Sequence, residues 1–228
     1  MIKLILPILL FSFNIYTSQI IYTSEFIDVE RKIVVKDSSI IIDNGIVSSI
    51  EKGFIKVDKD YSVIDLRGYS VMPGLMDMHV HFGQEYKSKA ERPIKIERET
   101  EAILATAHAD ITLKSGFTTV RQVGDSGFVS ISLRDAIADG SVNGPRIFTA
   151  GKSIATTGGH ADPTNGKSID DYDHPTPEQG VINGPYEAYT AVRQRYKDGA
   201  DGIKLTVTGG VLSLSLIHIS EPTRLTCI

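Results

Sequence analysis

The segment Pro73-Gly74-Leu75-Met76-Asp77-Met78-His79-Val80-His81 carries two histidines separated by one residue. In an extended strand, side chains two positions apart project to the same face, so His79 and His81 can present two imidazoles to one metal ion while Val80 points away. Asp77 shares that face by the same spacing, and it reads as a residue that orients the pair or packs beneath it. A His-x-His pair by itself is a weak signal, since exposed histidine pairs are common; its place at the end of an apolar run strengthens it. Lys204 lies in the apolar segment GIKLTV. An unpaired ammonium is costly to bury there, unless the stem snorkels to a rim. His160 stands in TTGGHAD, where the glycines allow close backbone approach to a ligand; a solvent-facing loop histidine is the plainer alternative. His108 falls inside a helical pattern and His174 precedes Pro175, so both read as structural or exposed.

Composition narrows the chemistry. The only cysteine is Cys227, so neither a disulfide framework nor a cysteine zinc site can be built within one chain, and a metal must be held by nitrogen and oxygen. A net charge of -4 and a pI near 5.9 supply no cationic field for nucleic acid, and they point to a small-molecule partner. With 41% hydrophobic and 23% charged residues, the chain has an ordinary globular composition.

These residues need elements to position them. Residues 1–18, with Lys3 ahead of an apolar run and a small-residue exit at Thr17-Ser18, read as a secretory signal peptide. The alternatives are a buried first strand or a membrane anchor, although the run is shorter than the roughly 20 apolar residues of a span. Residues 19–73 form a small β domain, expected to be sandwich-like. Within it SSIIID and IVSSI flank Asn44-Gly45, a dipeptide suited to a type I′ hairpin. A second hairpin is expected between YSVIDL and YSVM, turning at Arg67-Gly68. After Pro73-Gly74 the pattern alternates strand and helix: strands at 75–79, 117–123, 146–150 and 202–207, and helices at 98–114, 130–138 and 186–197. Ile103, Ala107 and Ile111 are the expected inner face of the first helix. Buried strands in βα repeats imply a parallel sheet. The polar residues at the strand ends favour an α/β fold of the truncated (β/α)8 TIM-barrel type, with about four βα units over residues 74–213.

The motif PGLMDMHVH resembles the metal-binding signature of the amidohydrolase superfamily. The likeness extends over residues 25–213 and includes SGFTTVRQVGD and GADGIKLTVTGGV. Thr157-Gly158-Gly159-His160-Ala161-Asp162 together with Ile203-Lys204-Leu205 is similar to the imidazolonepropionase and metal-dependent prolidase-like dipeptidase branch, and the dipeptidases are the nearer. The resemblance implies two divalent metal ions, often zinc, with His79 and His81 as ligands and Lys204 as a carbamylated bridging lysine. It also implies that His160 contacts substrate. The reaction implied is hydrolysis of a C–N bond by metal-activated hydroxide, on a dipeptide or small N-acyl amino acid. Hydrolysis of a cyclic amide or imidazolone is the nearest alternative, and a non-catalytic scaffold on the same fold is another. The family's aspartate and its later histidines have no counterpart here, so no catalytic residue is assigned. Arg121-Gln122 departs from the expected Arg-Asp. Residues 214–228, beginning LSLIHISEPTR, read as a non-native, adapter-like tail. The expected chain is therefore an inactive fragment of a periplasmic or secreted hydrolase. It would have no nucleic-acid partner and no stable membrane insertion after signal cleavage, and homo-oligomerisation is open to it.

Overall fold

The structure is a computed structural model, and it describes residues 18–56, 61–83, 97–165, 167–168, 170 and 173–209. The expected signal peptide up to residue 17 and the expected tail from residue 214 lie outside the described residues. Two compact units are present, Met1–Pro73 and Gly74–Ile228.

The first unit is built on one sheet of four strands: β1 (Gln19–Asp28), β2 (Ile33–Asp43), β3 (Ile46–Lys52) and β4 (Ser62–Val71), in the order β3-β2-β1-β4. Asn44 and Gly45 turn β2 into β3 with φ of 52° and 75°, the positive values a type I′ turn requires. β1 pairs antiparallel with β2 and parallel with β4, which makes it an inner strand and explains the complete burial of Ile20 and Thr23. Two expectations fail. Instead of turning at Arg67-Gly68, β4 runs through that dipeptide as one strand. Gly68 has φ of 103° and its N–H donates to Ser24 Oγ at 2.8 Å, at the place where the β1–β4 register slips between Thr23 and Glu25. The glycine thus forms an irregularity within a ladder, as β-bulges do. In place of the expected sandwich-like pair of sheets, the described residues of this unit form the single sheet β3-β2-β1-β4.

The second unit alternates strands and helices: β5 (Leu75–Val80), α1 (Arg98–Lys114), β6 (Phe117–Gln122), α2 (Val129–Ala138), β7 (Arg146–Thr149), β8 (Ile154–Ala155), α3 (Pro185–Asp198) and β9 (Leu205–Thr206). The order β5-β6-β7 is parallel throughout, and β8 and β9 form a separate parallel pair. The result is a mixed α/β fold with open sheets. Phe82, Ala105, Ala109, Val120, Val129, Leu133 and Ile147 form the core between the helices and strands.

Helix α1 turns a different face inward from the one its isoleucines suggested. Glu101, Ala105 and Ala109 are buried, whereas Ile103 and Ile111 are 70% and 60% exposed. Alanines let the helix axis approach the sheet closely, and this packing outweighs the larger apolar area that turning the isoleucines inward would cover. The fourth expected strand is reduced to β9, which pairs with β8 and not with β7. Its approach is set by Asp201: the Asp201 N–H donates to Thr149 O at 2.7 Å, and Thr149 N–H donates to Asp201 Oδ2 at 2.8 Å. Arg134 holds the same carboxylate oxygen at 2.9 Å. Leu75, Met76 and Met78 on β5, and Ile203, Leu205 and Val207 around β9, are exposed. Among the described residues no helix is long and apolar enough to cross a membrane.

Candidate metal centre and its surroundings

His79 lies at the end of strand β5 and His81 directly follows that strand, and the structure sets the two side by side. The rings of His79 and His81 lie with centroids 5.3 Å apart at an interplanar angle of 63°. Asp77 takes part locally: its Oδ1 accepts the His79 backbone N–H at 2.9 Å. Arg121, on the neighbouring β6, donates from Nε to Met78 O at 2.9 Å and ties the two strand ends together. The His79 imidazole is held below its ordinary pKa first by burial, then by the positive charges of Lys204, His81 and Arg121, with Asp77 opposing them. Lys204 therefore stands near enough to act electrostatically on His79, although it belongs to a segment far along the chain. It is half-buried, and its carbonyl accepts the Ile154 N–H at 2.9 Å.

The ring of His81 is seated against β6. Its Nδ1 lies 2.9 Å from Gly124 O. Gln122, 1% exposed, reaches the same carbonyl with Nε2 at 3.0 Å, and its Oε1 accepts the Phe82 N–H at 3.0 Å. Gly124 is crowded: a Cβ there would come within 2.5 Å of Ser153 Oγ and 3.5 Å of His81 Cε1. Sequence reasoning noted Gln122 as one of the polar residues at the strand ends and as a departure, assigned it no role, and missed Gly124 and Ser153. Strand periodicity says which side chains share a face, but not which carbonyl a ring will meet 43 positions away.

His160 is exposed on the loop 156–165. That loop is organised from within by Asp162, which is 7% exposed. Asp162 Oδ2 accepts the Gly158 N–H at 2.8 Å, and its Oδ1 accepts both the Thr164 N–H at 2.9 Å and the Thr164 hydroxyl at 2.6 Å. Burial pushes the Asp162 carboxyl up, but the Thr164 and Gly158 hydrogen bonds outweigh it and hold the carboxyl below its ordinary value. Asn183 pins the start of the loop, donating to Thr157 Oγ1 at 2.9 Å. His108 is half-buried with Nδ1 against Phe82 O, and His174 is exposed.

A cleft of about 530 Å³ adjoins both regions, lined among others by Asp125, Lys152, Ser153, Ala161 and Pro163. Burial lowers the Lys152 pKa, Arg195 and Arg98 lower it further, and Asp125 opposes them. None of the four residues predicted for the site lines this cleft. Among the described residues no group of three or more His, Cys, Asp or Glu side chains is placed to hold a metal ion. Among the described residues, the predicted ligands brought near one another are thus two imidazoles, with Lys204 acting electrostatically on His79.

Comparisons with known proteins place these features. Residues 70–223 match the sequence profile described as "Amidohydrolase family". A crystal structure of a Xaa-Pro dipeptidase with bound methionine in its active site is 68% identical, with a TM-score of 0.84, over 86% of this chain and 48% of that one. A prolidase complexed with N-methylphosphonate-L-proline is 29% identical, with a TM-score of 0.72 and the same coverage. Among curated sequences, an ochratoxinase of Aspergillus niger is 28% identical over 157 residues, which are 63% of this chain and 32% of that protein. The chain thus spans about a third of that curated relative and about half of the solved ones.

Proposed function

The chain belongs to the amidohydrolase family, and from that premise we propose that the full-length protein hydrolyses the amide bond of dipeptides or small N-acyl amino acids with divalent metal at His79 and His81. The observation that carries this reading is two imidazoles side by side at one strand end, with a half-buried Lys204 from a distant segment acting electrostatically on His79. The 68% identity to a Xaa-Pro dipeptidase supports the dipeptide class. In the same reading β5 to β9 begin a (β/α)8 barrel whose further units complete the active-site mouth, and residues 1–18 direct export to the periplasm or beyond.

The side chains present fit a divalent ion. Imidazole nitrogens are good donors to zinc, and the lowered His79 pKa favours the neutral ring that can bind. A lysine ammonium cannot ligate, so Lys204 must first change. Its neutral amine attacks carbon dioxide, an N–C bond forms and a proton is released, leaving a carbamate whose oxygens are anionic donors. When bound, divalent ions lower the pKa of water to about 7 and polarise a carbonyl. Asp77 and Arg121 keep the end of β5 in place during turnover through their bonds to His79 N and Met78 O. His160, on a loop beside the cleft, is the proposed contact for the substrate carboxylate or carbonyl.

Assay of the purified full-length protein against panels of dipeptides, N-acyl amino acids and cyclic amides, with metal content measured in parallel, tests the reading. His81→Ala and Lys204→Ala should each lower kcat/KM by about 10³-fold, equivalent to about 4 kcal/mol, and reduce bound metal. Unchanged metal content and activity in both variants would reject the site. Activity confined to cyclic amides would move the substrate class, and a metal-free protein without activity would leave a scaffold.

A further inference from the structure

We infer that Gln122 is a positioning residue that fixes the ring orientation and tautomer of His81, leaving Nε2 as the nitrogen free to bind metal. This rests on the proposal that His81 is a metal ligand, and it goes beyond that proposal in saying how the ligand is prepared.

The Phe82 backbone N–H can only donate, so the Gln122 atom 3.0 Å from it must be the carbonyl oxygen. The amide is thereby oriented, and its NH2 faces Gly124 O at 3.0 Å. Gly124 O can only accept, and the second group bound to it is His81 Nδ1 at 2.9 Å. In the neutral ring, Nδ1 must therefore carry the proton and Nε2 the free lone pair.

Gln122 does two things at once. It holds the residue that follows His81 in the chain, and it holds the carbonyl that receives the His81 proton. Its 1% exposure denies water the chance to replace either bond. An aspartate, as expected at this position from the family likeness, could accept from Phe82 but, ionised, could not donate to Gly124 O. The glutamine amide supplies the acceptor and the donor that the two partners require.

The experiment uses the full-length protein with 15N-labelled histidine, stripped of metal, and two variants, Gln122→Met and Gln122→Glu. Methionine keeps the volume without either hydrogen bond; glutamate keeps the acceptor but sets an oxygen against Gly124 O. Each variant is first compared with the parent by circular dichroism and thermal melting, so that the one that folds carries the test if the other does not. The expected result is a His81 Nδ1–H tautomer in the parent and a mixture of tautomers in the variants. Zinc affinity, measured by competition with a chelator, should weaken on the order of 10–100-fold, and kcat at saturating zinc should fall less than kcat/KM at limiting zinc. A folded variant with the parent's tautomer and the parent's zinc affinity overturns the inference. A parent that shows the Nδ1–H tautomer but binds no zinc rejects the metal-site reading instead; variants of such a parent that lose the tautomer still support the clamp.

Discussion

His81 and His160 are held by opposite strategies. The ring of His81 is seated by a carbonyl 43 residues away, reached only because β5 and β6 pair in parallel register. The loop that carries His160 is held by Asp162, which bonds to residues four positions before it and two after it. One arrangement exists only when the sheet exists, and the other is a local device that can loosen while the sheet stays intact. Under the proposed function the difference has a use: a metal ligand at His81 would hold its place through turnover, whereas a loop at His160 that meets substrate would gain from opening at lower cost.

This contrast can be broken first at Gly124. Replacing it with alanine drives a Cβ against Ser153 Oγ, at 2.5 Å, and presses on His81 Cε1. Because φ there is 155°, the side chain adds backbone strain. Stability should fall by about 1–3 kcal/mol, read by thermal melting, and amide protection should drop across β5 and β6 together. A change limited to the turn would show that His81 is not seated through the sheet.

A smaller effect is expected at Asp162→Ala, which removes the acceptor for Gly158 N–H, Thr164 N–H and the Thr164 hydroxyl. Gly158 is exposed and water can satisfy its freed N–H, so the loss should be about 1 kcal/mol of local stability, seen as faster amide exchange at Gly158 and Thr164 with β5 and β6 unaffected. Faster exchange in the strands as well would merge the two regions into one cooperative unit. Acid should do the same more gently. Since the folded Asp162 carboxyl lies below its ordinary value, its contribution is complete above the unfolded aspartate pKa of about 3.9 and is lost as pH falls through the lower folded value. Loop exchange followed below about pH 4 should quicken in the parent but show no such step in Asp162→Ala.

Much of the local structure was legible from residue types. The Asn44-Gly45 turn follows from the positive φ that both positions must adopt, and helix α1 spans the residues 98–114 that the pattern indicates. What escaped the reading depends on contacts across the sequence. Gly68 looked like a turn because a glycine between two apolar runs is equally suited to a bulge, and only pairing with β1 decides between them. Ile103 and Ile111 looked like core because periodicity reports apolar faces and not how closely a helix approaches its sheet. Among the site residues, the side-by-side rings of His79 and His81 could be read from their spacing. The Gln122–Gly124–His81 arrangement could not, because its bonds form only after β5 and β6 have paired.

Asp201 has a consequence for how this fold meets its own kind. By accepting from Thr149 N–H with its carboxylate while donating its backbone N–H to Thr149 O, it occupies both hydrogen-bonding groups of the last residue of β7. A strand arriving from another molecule finds that position spoken for, and Arg134 keeps the occupying carboxylate from swinging away. One acidic side chain thus acts as a doorstop against edge-to-edge association, where an open parallel strand would otherwise invite it.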